Sequence, residues 1–259
     1  MAGPRLQPLL LLLLSLALRS AGQEGLHPAQ DTGERIINGN VCPRGSHPWQ
    51  VALYYNNKFK CAGVLVNQQW VLTVAHCHQS EYIVQMGSDL LVDVRAQRIR
   101  ATESFIHPRY NNRTNNHDIM LVKLHSPATL SPIVNTINLP SSCKGNATSC
   151  TVSGWDVTTM HGATKPSRLM CSNVNIISYQ ECKQSYRNLL KKYMLCAATP
   201  NGFSNSCKGD SGSPLICEGS LQGLVFAGYI PCTTPFKPVI YTRVCMYRKW
   251  LNNTMKANS

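Results

Sequence analysis

From residue 36 onward the chain alternates short apolar runs with clusters of glycine, proline, asparagine and serine. The runs include "WQVALYY", "CAGVLV", "WVLTVAHC", "DIMLVKL", "CTVSGW" and "LQGLVFAGY". Each suits a strand better than a helix, and turn signals follow closely, so the pattern predicts an all-β sandwich or barrel rather than a parallel α/β sheet. Helices are few. Ser178-Tyr179-Gln180-Glu181 has the form of a capping box and predicts a short helix around Cys182. Val244, Tyr247, Leu251 and Met255 recur at helical spacing and predict a helix at the C-terminus. The length after Arg35 fits one large β domain or two smaller ones, and no repeat or low-complexity linker divides it.

The first 35 residues follow a different pattern. Arg5, the run "LLLLLLSLAL" from Leu9 to Leu18, and the small residues Ser20, Ala21 and Gly22 have the order of a secretory signal over residues 1–22. That run is too short to cross a bilayer, and no later stretch approaches the roughly 20 apolar residues a membrane helix needs. Residues 23–35 are polar and end in "GERIINGN", where Arg35 directly precedes Ile36, so they read as a propeptide with a cut site. A soluble, secreted, extracellular monomer is expected.

The 12 cysteines agree with an oxidising compartment, in which all can pair. Zinc is not expected: there are no CxxC pairs and no HExxH helix, and His76 and His78, which flank Cys77, are not read as ligands. No other metal or cofactor is called for. Asn112, Asn146 and Asn252 each open a glycosylation sequon. The formal net charge of +13 favours acidic partners such as glycosaminoglycans through salt-sensitive attraction. The basic residues are scattered and form no recognisable nucleic-acid module, so nucleic acid is not expected.

The candidate chemistry centres on "SNSCKGDSGSPL", residues 204–215. A serine hydroxyl attacks poorly at neutral pH without a base and a group that orients the base. Ser211 alone could be a turn residue. However, "WVLTVAHC" ends an apolar run at His76, and "NNHDIMLVKL" puts Asp118 at the start of another, where an acid entering a buried strand needs a partner. The order His, Asp, Ser is that of the chymotrypsin-type triad.

With "IING" after a basic cut site, "TVAHC", "DIMLVKL", "SGW", "GDSGSP" and "YTRVC", the chain from Ile36 to about Lys256 resembles the trypsin-like serine proteases. Within them it is similar to the tissue kallikreins through "RGSHPWQVAL", "GVLVNQQWVLT", "DVRAQRIRA", "LMC", "MLCA" and "LQGLV". The resemblance implies a peptidase domain over 36–259, built of two six-stranded antiparallel Greek-key β-barrels, roughly 36–135 and 136–243, with a C-terminal helix. It implies six disulfides: Cys42–Cys171, Cys61–Cys77, Cys143–Cys245, Cys150–Cys217, Cys182–Cys196 and Cys207–Cys232. Ser211 would be the nucleophile, His76 the base and Asp118 its orienting acid, with the amides of Gly209 and Ser211 as oxyanion donors. Cleavage after Arg35 would free the ammonium of Ile36 to pair with Asp210. The implied partners are protein or peptide substrates, an activating trypsin-like protease and serine protease inhibitors.

The same resemblance places Asn205, Ser206, Gly228 and Val239 around the specificity pocket. Asn205 stands where trypsin has an aspartate, so a cation before the cut would lose its partner and an apolar or aromatic residue is expected instead. Val239 replaces a glycine and should narrow the pocket toward medium apolar residues such as leucine or methionine, while Lys208 at its mouth would favour acidic residues near the cut. Phe226 replaces a serine that hydrogen-bonds the catalytic aspartate, Ala227 replaces a tryptophan, and Ser213 and Asp156 replace glycines. The segment "MGSDLLVDVRAQR" is a poor match to the family's calcium loop, and Asn115 replaces a histidine tied to zinc inhibition. Two functions follow: a secreted zymogen of a serine endopeptidase, or a catalytically impaired protease homologue acting as a cationic binding protein.

Overall fold

The computed structural model describes residues 40–155, 168–200, 211–227 and 238–259. They fall in one unit, Glu34–Ser259. The first sheet comprises β2 (Gln50–Tyr55), β3 (Lys58–Asn67), β4 (Trp70–Thr73), β5 (Tyr82–Met86), β6 (Gln97–Ala101), β7 (Glu103–Ile106) and β8 (Met120–Lys123). Its order is β6-β5-β2-β3-β4-β8-β7. Only Thr102 separates β6 from β7, so the two edges of the sheet are joined by the chain itself.

The second sheet contains β1 (Asn40–Val41), β9 (Ser149–Gly154), β10 (Met170–Ile176), β11 (Met194–Ala198), β12 (Pro214–Cys217), β13 (Ser220–Ala227) and β14 (Val239–Arg243). Pairing of β9 with both β10 and β12 closes six of its strands into a barrel, and β1 adds to the outside of β10. Every ladder within the two sheets is antiparallel. The fold is that of chymotrypsin with a C-terminal helix, as the resemblance implies, but only the second sheet closes as a six-stranded barrel, while the first is a seven-stranded, barrel-like sheet whose edge strands do not pair with one another. Though early in sequence, β1 pairs with the second sheet and straps the two halves.

Strand periodicity explains the packing. Successive side chains point to opposite faces, so Val71 enters the interior of the first barrel while Trp70 and Leu72 face outward. That outer face is itself buried, because Leu72, Ile119 and Leu121 meet Leu221 and Leu224 of β13 and Leu251 of the C-terminal helix. Hence "WVLT" reads as a continuous apolar run although only one of its faces lines a barrel.

Helix α1 (Tyr179–Tyr186) starts where the capping box places it, with the Ser178 hydroxyl accepting from the Glu181 amide at 3.1 Å. At the C-terminus, Val244–Tyr247 form a 3-10 turn and α2 runs Arg248–Ala257, so two of the four periodic positions precede the α-helix. Five disulfides join Cys42 to Cys171, Cys61 to Cys77, Cys143 to Cys245, Cys150 to Cys217, and Cys182 to Cys196, the pairings the resemblance implies. Cys207 and Cys232 lie outside the described residues.

Candidate active site

The chain leaves β4 at Thr73 and turns through the 3-10 segment Ala75–Cys77, which presents His76 with its side chain 27% exposed. Asp118, just ahead of β8, is buried at 2% exposure. Its two carboxylate oxygens are divided between two donors on one residue: the His76 amide reaches Oδ1 at 2.8 Å and His76 Nδ1 reaches Oδ2 at 2.6 Å. This fixes both the backbone and the ring of His76. With the proton held at Nδ1 by the carboxylate, a neutral imidazole offers its lone pair at Nε2, where it can take up a proton. The Asp118 carbonyl accepts from the Thr242 hydroxyl at 2.8 Å, which ties the acid to β14 of the other barrel.

Ser211 belongs to a turn held from both halves. Its carbonyl accepts from the Ala62 amide of β3 at 2.9 Å, and the next amide, Gly212, donates to Val225 of β13 at 2.9 Å. Gly212 has φ +84, and a Cβ there would collide with the Ala62 carbonyl and the Thr73 hydroxyl, so only glycine suits the position. Cys61, next to Ala62, is bonded to Cys77, next to His76. Main-chain hydrogen bonding and one disulfide therefore join the surroundings of Ser211 to those of His76. An open cavity of about 540 Å³ lies beside His76, lined also by His78, Ile106, Tyr110 and Asn112.

An aromatic stack that the sequence did not announce forms around His117, the residue before Asp118. His117, at φ +54, stacks on Tyr193 with ring centroids 3.9 Å apart and on His107 at 5.3 Å. Tyr247 meets both imidazoles edge-on, its hydroxyl 3.1 Å from His117 Nδ1, and Trp250 meets His107 edge-on. Burial, reinforced by His117 and Arg109, lowers the His107 pKa to about 4. Burial and Arg109 also lower that of His117, and burial raises the Tyr247 phenol above its ordinary range. Adjacency to Asp118 was the only signal for His117, while the other rings come from distant segments.

Phe226 supplies no donor to Asp118. A register shift between Val225 and Ala227 accompanies it, and its ring lies in a cluster with Cys182, Leu190, Met194, Cys196 and Ile240. Ser213 is fully buried at a backbone without positive φ, and its hydroxyl has no partner among the described residues. Val239 opens β14 opposite Ala197 and is buried in the interior cluster of the second barrel. Asn112, Asn146 and Asn252 are all exposed. Arg35, Ile36, Asp156, Asn205, Ser206, Lys208, Gly209, Asp210 and Gly228 lie outside the described residues. Among those described, the three-residue groups with metal-like spacing are Cys42, His47, Cys171 and Cys61, His76, Cys77, and their cysteines are already in disulfides.

Comparison with known proteins adds an independent line. The trypsin family profile matches residues 36–251. Human kallikrein-7 is 54% identical over 256 residues, covering 99% of this chain and 99% of that protein. Rat cationic trypsin-3 is 42% identical over 233 residues, covering 89% of this chain and 94% of the relative. Among solved structures, neuropsin, a serine protease expressed in the limbic system of mouse brain, superposes with a TM-score of 0.80 at 39% identity, covering 84% of this chain and 99% of neuropsin.

Proposed function

This chain belongs to the trypsin family of serine endopeptidases and is of the kallikrein type, a premise from which we propose a secreted zymogen, activated by cleavage after Arg35, that cuts after apolar or aromatic residues. Its substrates are proteins. The observation that carries the catalytic reading is the double hydrogen bond from His76 to the buried carboxylate of Asp118.

In this reading Ser211 attacks the scissile carbonyl while His76 Nε2 takes its proton. The imidazolium is stabilised by Asp118, and its proton then passes to the leaving amine. The amides of Gly209 and Ser211 hold the developing oxyanion, each contributing on the order of 10² to 10³ in rate. The ammonium freed at Ile36 pairs with Asp210 and completes that site, which makes activation a charge-pair switch.

Asn205 sets the preference. It presents a neutral amide, so a buried lysine or arginine would be left unpaired. Val239 narrows the pocket further, and Lys208 favours acidic residues near the cut. Against the binding-only alternative, the His76–Asp118 pair is intact, and the bulky Phe226 is housed in a hydrophobic cluster rather than wedged between them.

The test is to cleave the purified zymogen after Arg35 and profile a peptide library. Hydrolysis after leucine, methionine, tyrosine or phenylalanine supports the assignment. Dominance of lysine or arginine before the cut rejects the pocket reading, and no turnover with Ile36 as the confirmed terminus rejects the enzymatic one.

A further inference from the structure

A second cavity, of about 340 Å³, shares no lining residue with the one beside His76. Four segments contribute to it: residues 41–47, the loop 87–95, Ile133 and Arg168. The first, second and last are laced together by hydrogen bonds. The Leu169 amide donates to Asp89 at 2.7 Å, the Cys42 amide donates to Leu169 at 3.0 Å, and Leu90 bridges Arg168. The Gly45 amide donates to the Asp89 carboxylate at 3.0 Å. The cavity is therefore preformed, a state that lowers the ordering cost of binding.

Its charges are unevenly matched. Asp89 is held by Gly45, and Asp93 accepts from the Ser88 hydroxyl and from the Arg95 amide and side chain, so both carboxylates have internal donors. Arg44 and Arg168, both exposed, have no side-chain partner among the described residues. Arg95 is 76% exposed beside Asp93. Burial keeps the His47 imidazole at the cavity wall less basic than an ordinary one, despite the nearby Asp89. Three guanidiniums stand against two carboxylates on the lining, so its net charge is positive, and guanidinium groups bind carboxylates in a bidentate fork.

Apolar surface accompanies this charge. Val92 and Val94, on either side of Asp93, are 85% and 93% exposed, and Val41 and Ile133 on the lining are each half exposed. Isolated exposed apolar residues are unremarkable, but Val41 and Ile133 lie on the lining of the cationic cavity itself and offer it apolar surface for recognition. A sulfated sugar would use the guanidiniums and leave Val41 and Ile133 bare. A peptide with alternating acidic and apolar side chains would use both.

We propose that this cavity is a docking site for an acidic, apolar segment of a protein partner, held by Arg44 and Arg168 and packed on Val41 and Ile133. It does not depend on the catalytic assignment. The test is fluorescence anisotropy with a dye-labelled peptide of alternating glutamate and leucine, on the full chain carrying Ser211→Ala so that the probe is not consumed. Arg44→Glu/Arg168→Glu is compared with Lys249→Glu/Lys256→Glu on α2, an equal charge change at exposed positions elsewhere. The expected result is weakening of at least about tenfold in the first pair and less than about twofold in the second. Arg44→Gln/Arg168→Gln falls between wild type and the charge reversal, and a glutamine-for-glutamate peptide binds poorly. Equal weakening by both pairs, equal binding of the glutamine peptide, or no binding at all overturns the proposal. So does a heparin-derived oligosaccharide that needs the two arginines while the peptide does not.

Discussion

The amide of Ala62 donates to the carbonyl of Ser211 at 2.9 Å, joining strand β3 of the first barrel to the turn that carries the nucleophile in our reading. The residue before Ala62 is Cys61, bonded to Cys77, whose neighbour is His76. A serine and an imidazole from different barrels are thus anchored to adjacent residues of one strand. Opening that anchor should cost activity as well as stability. The bridged residues are 16 apart in sequence, and losing a loop of that size costs about 3 kcal/mol. For Cys61→Ala/Cys77→Ala we expect a stability loss of that order in urea unfolding, together with a fall in kcat at temperatures where the variant remains folded. An unchanged kcat would mean that the bridge only staples the chain.

Asp118 receives its two side-chain hydrogen bonds from His76 alone among the described residues. Asp118→Asn preserves the shape and removes the charge, and the ring is then no longer held in the productive tautomer. We expect kcat to fall by about 10⁴ with little change in KM, the magnitude general to such triads. Steady-state kinetics with circular dichroism as a fold control checks this.

Phe226 illustrates a departure that stability measurements can read. Its ring packs among Leu190, Met194 and Ile240, so Phe226→Ala should destabilise by about 3 to 5 kcal/mol. The ring gives Asp118 no hydrogen bond, so kcat of the folded variant should stay within about twofold of wild type. A large loss of kcat at full folding would show the ring positioning the acid.

Ser213 carries a buried hydroxyl with no partner among the described residues. Leaving such a group unsatisfied costs about 1 to 3 kcal/mol, so Ser213→Ala should raise the denaturation midpoint. A lower midpoint would reveal a partner for the hydroxyl.

The His107 imidazole has a pKa of about 4 in the fold, against about 6.5 in an unfolded chain. Between those values the unfolded state binds the extra proton, so stability falls as pH drops through this window and is fully present above it. His117 and His47 are shifted in the same direction and steepen the loss. His107→Phe keeps a ring against Trp250 and Tyr247, and its stability between pH 4 and 6.5 should vary less than that of the wild type. Chemical denaturation at a series of pH values measures the slope.

The strands were legible because they express local rules, and the His76–Asp118 pair because the order of His76, Asp118 and Ser211 and the quoted motifs resemble a known family. "WVLT" and "DIMLVKL" announce buried strands, and a carboxylate at the entry to one demands a donor. The capping box at Ser178 is equally local, and α1 begins there. What stayed hidden depends on distant segments meeting. The strand Asn40–Val41 pairs with Met170 and Cys171 of the other barrel, and the rings of His107, His117, Tyr193, Tyr247 and Trp250 come from four parts of the chain. No spacing encodes such meetings. The seat of Phe226 was also unreadable, because it depends on a register shift in β13.

The most direct measurement is covalent labelling by a fluorophosphonate, read by mass spectrometry on the chain before and after cleavage at Arg35. Our account predicts a single adduct on Ser211 that forms only after cleavage, disappears in Ser211→Ala and is strongly slowed in His76→Ala. A cleaved, folded chain that takes no label, or one that labels equally well without His76, would contradict it.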